Sequence, residues 1–209
     1  MITIAELVVA DEPSAWADAG FTVDGDRTVL GTVRVRAGGP DESRGRGVVS
    51  WALRDVALDG DDIDGLRTAV VDSAPSASVG AIHPNHTTAI DHVVVATPDW
   101  PRTIAALGAA GFELRRERAA GTDTAPMRQG FFRAGDVIIE VVGPRDAAGG
   151  GGPARFFGLA LSVDDLDATK AFYGDRLSDP KPAVQPGRRI ATLRHRELGI
   201  STAIAFMST

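Results

Sequence analysis

Apolar, β-branched runs alternate along the chain with short breaks rich in glycine, proline and polar residues, and their order predicts the elements. Over residues 89–145, IDHVVVA reads as a strand, DWPRTIAALGAAGF as a helix opened by Asp99 and Pro101, and GDVIIEVVGP as a strand closed by turn residues. Between them FELRRER and MRQGFFRAG flank the turn-rich AAGTDTAP and suit two antiparallel strands, so the predicted order is β-α-β-β-β. Residues 155–209 repeat that order with FFGLALSV, the helix DDLDATKAFYGDRL, a proline-rich loop, and RRIATLRHR and GISTAIAFM as strands.

The repeat has a nearly constant offset. Asp99 falls on Asp165 and Gly108 on Gly174, both 66 residues on, and Glu140 falls on Ala205, 65 residues on, which argues for duplication. A degenerate copy opens the chain, where Glu6 aligns with His92 and Ala19-Gly20-Phe21 with Ala110-Gly111-Phe112. The expected organisation is a degenerate βαβββ-like unit over 1–74, a linker over 75–88, and a tandem domain over 89–209 made of units 89–145 and 155–209. The expected fold class is α+β. His83 and His86 fall in the linker and read as surface-loop residues, and AAGGGGPA at 147–154 reads as a flexible joint.

Composition narrows the classes. A chain of 209 residues holds one large or two small domains, with length enough for a real core. The net charge of −6 provides no basic field for nucleic acid or anionic membranes. The chain contains no cysteine, so disulfides, thiolate metal sites and a cysteine nucleophile are excluded. The opening MITIAELVVADEP has no basic n-region, and no run approaches the ~20 apolar residues of a span, so a cytoplasmic protein is expected.

Two residues stand out. Alternation puts Ile90, His92 and Val94 on one face of their strand, and Ile138, Glu140 and Val142 on one face of the closing strand, where Glu140 is the only polar residue of VIIEVV. A carboxylate there is costly without a partner. His92 and Glu140 could converge on zinc, iron, manganese or nickel, for which imidazole and carboxylate are suitable ligands, or hydrogen-bond each other or a strand neighbour with no metal. Gln129, Gln185 and His195 are further acceptors, and Arg188-Arg189 could clamp an anionic group.

His92, the Pro98-Asp99 helix start and Glu140 in the closing strand of a duplicated unit together resemble the vicinal oxygen chelate superfamily, which includes glyoxalase I, bleomycin-resistance proteins and extradiol dioxygenases. The resemblance covers residues 88–209 well and 1–60 loosely. It implies paired units forming a U-shaped sheet around a cavity, with metal ligands from the first and fourth strands of each unit. His92 and Glu140 match one half. In the second copy the equivalents are Gly158 or Leu159 and Ala205, and in the first copy Glu6 and Ser50 or Trp51.

On that basis the expected function is action on a small molecule in a cavity, through a divalent metal on His92 and Glu140, with Glu140 as ligand or base. Lyase, isomerase and oxygenase chemistry all remain open. Gln129, Gln185 and Arg189 are the expected substrate contacts. The alternative is a metal-free protein that sequesters a small molecule, as bleomycin-resistance relatives do. A homodimer is the default assembly.

Overall fold

The computed structural model describes residues 1–39, 45–72, 81–145 and 151–209. Its strands form two sheets. The first contains β1 (Thr3–Val9), β2 (Arg27–Leu30), β3 (Val33–Ala37), β4 (Val48–Arg54), β5 (Asp62–Ile63) and β6 (Leu66–Val70) in the spatial order β2-β3-β1-β4-β6-β5, with helix α1 (Pro13–Asp18) after β1. The second contains β7 (Thr87–Ala96), β8 (Leu114–Thr122), β9 (Ala125–Ala134), β10 (Val137–Pro144), β11 (Arg155–Val163), β12 (Lys181–Pro182), β13 (Arg189–Thr192) and β14 (Ala203–Ser208). Its order is β12-β13-β14-β11-β7-β10-β9-β8. Helix α2 (Trp100–Ala109) follows β7 and α3 (Leu166–Tyr173) follows β11.

The second sheet is two βαβββ units joined edge to edge. In each, the first and last strands run parallel (β7 with β10, β11 with β14) and the other pairs run antiparallel, while β7 and β11 meet antiparallel at the centre. This mixed, curled half-barrel is the α+β arrangement expected, and its two units pair within one chain. Asp99 and Asp165, at equivalent places, accept backbone N–H bonds and start α2 and α3.

The first sheet has the same plan in shorter form. β1 and β4 meet antiparallel at its centre, and each has a parallel neighbour, β3 and β6. LDGDDIDGL, a segment of turn-forming composition, supplies β5 and the start of β6. In the second sheet, the proline-rich loop contains the short β12. RRIATLRHR is strand only to Thr192, after which the chain makes a 3-10 turn over His195–Leu198 that ends at Gly199 in a left-handed conformation (φ 73°).

One continuous core joins the sheets. Val93, Val95, Ile139 and Val141 turn their side chains inward, and the Trp51 ring of β4 stacks on Phe112 and meets Phe156 edge-on. Polar ties cross the same junction. Asp11 accepts from Trp16 Nε1, the backbone N–H and hydroxyl of Ser201, and the hydroxyl of Thr202. His83 is buried, contrary to the surface loop expected: its Nδ1 accepts from the Thr22 N–H at 3.0 Å and its Nε2 donates to Val29 O at 3.0 Å. His86 pairs with Asp164 at the surface. Residues 75–80 of the expected linker and 147–150 of the glycine tract lie outside the described residues. Among the described residues, no helix is long and apolar enough to cross a membrane.

Candidate functional site

The concave face of the second sheet lines a cleft of about 1110 Å³. The two-residue strand period decides what reaches it. On β7, His92 and Val94 face the cleft while Val93 and Val95 enter the core; on β10, Ile138 and Glu140 face it while Ile139 and Val141 enter the core. Ile138 pairs with His92 and Glu140 with Val94 across the parallel ladder. His92 and Glu140 are therefore diagonal neighbours on one face, about 8 Å apart along the backbone and within side-chain reach.

A bulge in β7 sets the aim of His92. Ile90 pairs with Leu161 and His92 with Ala160, so Asp91 is the extra residue. Ile90 consequently joins Val93 and Val95 in the core instead of sharing a face with His92. The bulge also brings the Asp91 carboxylate against His92 Nδ1, and neither of those two atoms has another hydrogen-bond partner. The other Asp91 oxygen takes Arg188 Nη2 at 2.7 Å and the Ser162 hydroxyl at 3.2 Å. Burial would raise the Asp91 carboxyl, but His92 and the Arg188 guanidinium overcome it and hold the group well below the usual carboxylate range. His92 is buried, and Nε2 is the ring nitrogen left for the cleft.

Glu140 has a different support. Its Oε1 accepts from Gln129 Nε2 at 2.5 Å, and Gln129 Oε1 accepts from Arg118 Nε at 2.5 Å, so the basic group acts on the carboxylate through an amide. Oε2 makes no hydrogen bond among the described residues. Burial pushes the Glu140 carboxyl up from its ordinary value, against the opposing charges of His92 and Arg118.

The other expected residues separate. Gln129 stands behind Glu140, and Gln185 lines the cleft from the loop between β12 and β13. Arg189 lies outside it, held by Asp167 through two contacts of 3.0 and 2.8 Å, and burial and charge commit Arg188 to Asp91 and Ser208 O. His195 Nδ1 is bonded to Ile200 O in the 3-10 turn. Sequence reasoning missed Asp91 and Arg118. A strand-long alternation gives no sign of a bulge, so it assigned Asp91 to the opposite face.

The second unit is blank where the first is polar. β11 bulges at Phe157, 66 residues after the bulge at Asp91, which makes Gly158, not Leu159, the counterpart of His92. Gly158 pairs with Ala203 as His92 pairs with Ile138, so Ala205 is the counterpart of Glu140. A Cβ on Gly158 would lie 2.4 Å from Ala203 O, so no donor side chain fits there. In the first sheet Glu6 pairs with Arg34 on the parallel strand, which places Arg36 at the Glu140 position. Ser50 and Trp51, expected there, lie on the antiparallel neighbour β4 instead. Arg36 Nε is 3.2 Å from Glu6 Oε1, an ion pair where the second sheet has imidazole and carboxylate.

A divalent ion is what the resemblance implies, and the donor set is short of one. Among the described residues no three His, Cys, Asp or Glu side chains gather, Gln129 is engaged at both ends of its amide, and catalytic metal sites take about three protein donors. His92 and Glu140 alone do not fit a resident metal.

The comparisons with known proteins agree with this architecture. A mutant of 4-hydroxymandelate synthase from Streptomyces coelicolor superposes with a TM-score of 0.66 at 16% identity, over 99% of this chain and 92% of that one. Homoprotocatechuate 2,3-dioxygenase from Arthrobacter globiformis gives 0.59 at 14% identity, over 99% and 78%. The fold is that of the vicinal oxygen chelate superfamily. Methylmalonyl-CoA epimerase from Mycobacterium tuberculosis is also similar, at 21% identity and a TM-score of 0.46, over 59% of this chain and 89% of that one. No protein-family model and no curated protein matches the sequence. In the second sheet the first unit has imidazole and carboxylate at the first- and last-strand positions, and the second unit has Gly158 and Ala205 there.

Proposed function

We propose that the chain is an enzyme of isomerase or lyase type that moves a proton on a small molecule held in the cleft, with Glu140 as the acid–base group and His92 beside it. The observation that carries this reading is the state of the Glu140 carboxylate. One oxygen is fixed by Gln129, the other is unengaged, and burial raises its pKa toward the range in which a carboxyl both takes and returns protons. The Asp91 carboxylate at Nδ1 supports His92 as a hydrogen-bonding or proton-accepting partner through Nε2. The oxygenase chemistry that the resemblance also allows draws no support from a donor set of one imidazole and one carboxylate.

The test is hydrogen–deuterium exchange by NMR. Ketones and 2-oxo carboxylates that bind the protein are incubated with it in D2O, and exchange is followed at the carbon next to the carbonyl. The expected result is exchange with at least one compound, reduced about 100-fold or more in Glu140→Gln with binding retained. Binding without exchange in the unmodified protein would replace this reading with that of a sequestering protein.

A further inference from the structure

The two units make chemically unlike walls. Four arginines of the first unit, Arg115, Arg116, Arg118 and Arg133, line the cleft with Lys181 of the second, and among the described residues Glu140 is the only acidic one there, in a chain whose net charge is −6. Arg115 pairs with Glu113, and Arg118 is spent on Gln129. Arg116, Arg133 and Lys181 have no ion-pair partner among the described residues. On β9, Phe131 and Arg133 share the cleft face, and the register sets Arg116 and Glu140 on either side of Phe131. Strand spacing then places the Arg116 backbone about 10 Å from that of Glu140, so its long side chain can deliver a guanidinium close to whatever touches Glu140. Arg133 occupies the next row, beside Ile138 and two strands from His92.

Apart from Lys181, Gln185 and Thr192, the opposite wall is apolar. Where the second unit has Gly158 and Ala205 it also presents Ala203, Ile204 and Met207, and at its mouth Phe157 and Val184 remain 60% and 66% exposed. An exposed phenylalanine at a strand bulge costs hydrophobic free energy that an apolar ligand would recover.

We infer that the ligand of this cleft is a small amphiphilic oxyanion, a carboxylate or phosphate held by Arg116 and Arg133 near Glu140, with an aromatic or branched apolar body laid against Phe157 and the second unit. This rests on the cleft reading above and adds the class of molecule. The anion meets guanidinium donors in a site walled on one side by hydrocarbon, where charge-assisted hydrogen bonds are strong. The apolar body replaces water on Phe157 and Val184.

Calorimetric titration with naphthalene carboxylate, naphthyl phosphate and naphthalene carboxamide tests it. At low ionic strength at least one anionic probe binds tenfold or more tighter than the amide, roughly the effect of one charge-assisted hydrogen bond. The double variant Arg116→Gln/Arg133→Gln, both exposed positions, closes that gap while the amide affinity stays, and Phe157→Ala weakens all three probes. Which anion binds better separates carboxylate from phosphate. Equal binding of amide and anions, or a gap that survives in the double variant, overturns the inference. Proton exchange on an uncharged ketone alongside equal probe binding would leave the proposed function standing without it, and charge-selective binding without any exchange would do the reverse. Failure of all three probes to bind overturns the ligand class.

Discussion

Gln129 reaches Glu140 diagonally: the register faces Glu140 with Phe131 and Gln129 with Val142, yet the amide donates to the carboxylate at 2.5 Å. A hydrogen bond to a carboxylate favours its charged form, so the amide and the Arg118 behind it oppose the upward push of burial. In Gln129→Leu the Glu140 titration midpoint, read from its side-chain carbonyl carbon by NMR, rises above that of the unmodified protein. A midpoint that stays or falls would show that the amide does not stabilise the ionised group.

The same carboxyl imposes a pH dependence on stability. Its folded-state pKa lies above the unfolded value, so the folded state binds the proton more tightly, and that contribution is complete below the unfolded pKa and lost as pH rises through the folded one. Relative to Glu140→Gln, the unmodified protein therefore loses stability between acidic and neutral pH. Urea midpoints of the two proteins across that range should diverge toward higher pH, with the variant above; parallel curves would contradict it.

His83 acts with the opposite sign. Burial lowers its pKa, and its Nδ1 must stay unprotonated to accept from Thr22 N–H. The unfolded state takes up its proton first on acidification, so stability falls as pH drops from about 6.5 toward the folded-state pKa. In His83→Ala that component of the urea-midpoint profile disappears, and stability at neutral pH drops by about 1–3 kcal/mol from two unpaired backbone groups.

Asp11 collects four donors at the junction of the two sheets. Asp11→Ala leaves them without a shared acceptor and should cost about 3–5 kcal/mol by urea denaturation, whereas Asp11→Asn, which keeps one carbonyl oxygen, should cost less. Equal losses would locate the cost in packing.

Equilibrium dialysis against zinc or manganese tests the donor shortage. The expected result is less than one ion retained per chain, since the cleft offers one imidazole and one carboxylate. A stoichiometric ion lost together with His92→Ala and Glu140→Ala would restore the metal-bearing reading.

Much of this arrangement was legible in the amino-acid pattern because it follows from strand alternation and repeat offset. VIIEVV places Glu140 opposite Ile139 and Val141, and the 66-residue offset finds Asp165 at the start of α3 as Asp99 is at the start of α2. What escaped depends on partners remote in sequence. The bulge at Asp91 exists only through the register with β11, so Ile90 was assigned to the wrong face. Arg188 and Arg189 are adjacent and chemically alike, and only the placement of Asp91 and Asp167 separates their roles. His83 sits among turn residues, and its burial follows from Thr22 and Val29, over fifty positions away.

The close seam at Gly158 also bears on the history open to this cleft. With the Ala203 carbonyl in the space that a side chain would need, a histidine arriving there would have to part β11 from β14 before it could bind anything. A two-sided constellation therefore cannot arise here by one substitution at Gly158, which leaves the side that bears His92 and Glu140 as the one open to new donors.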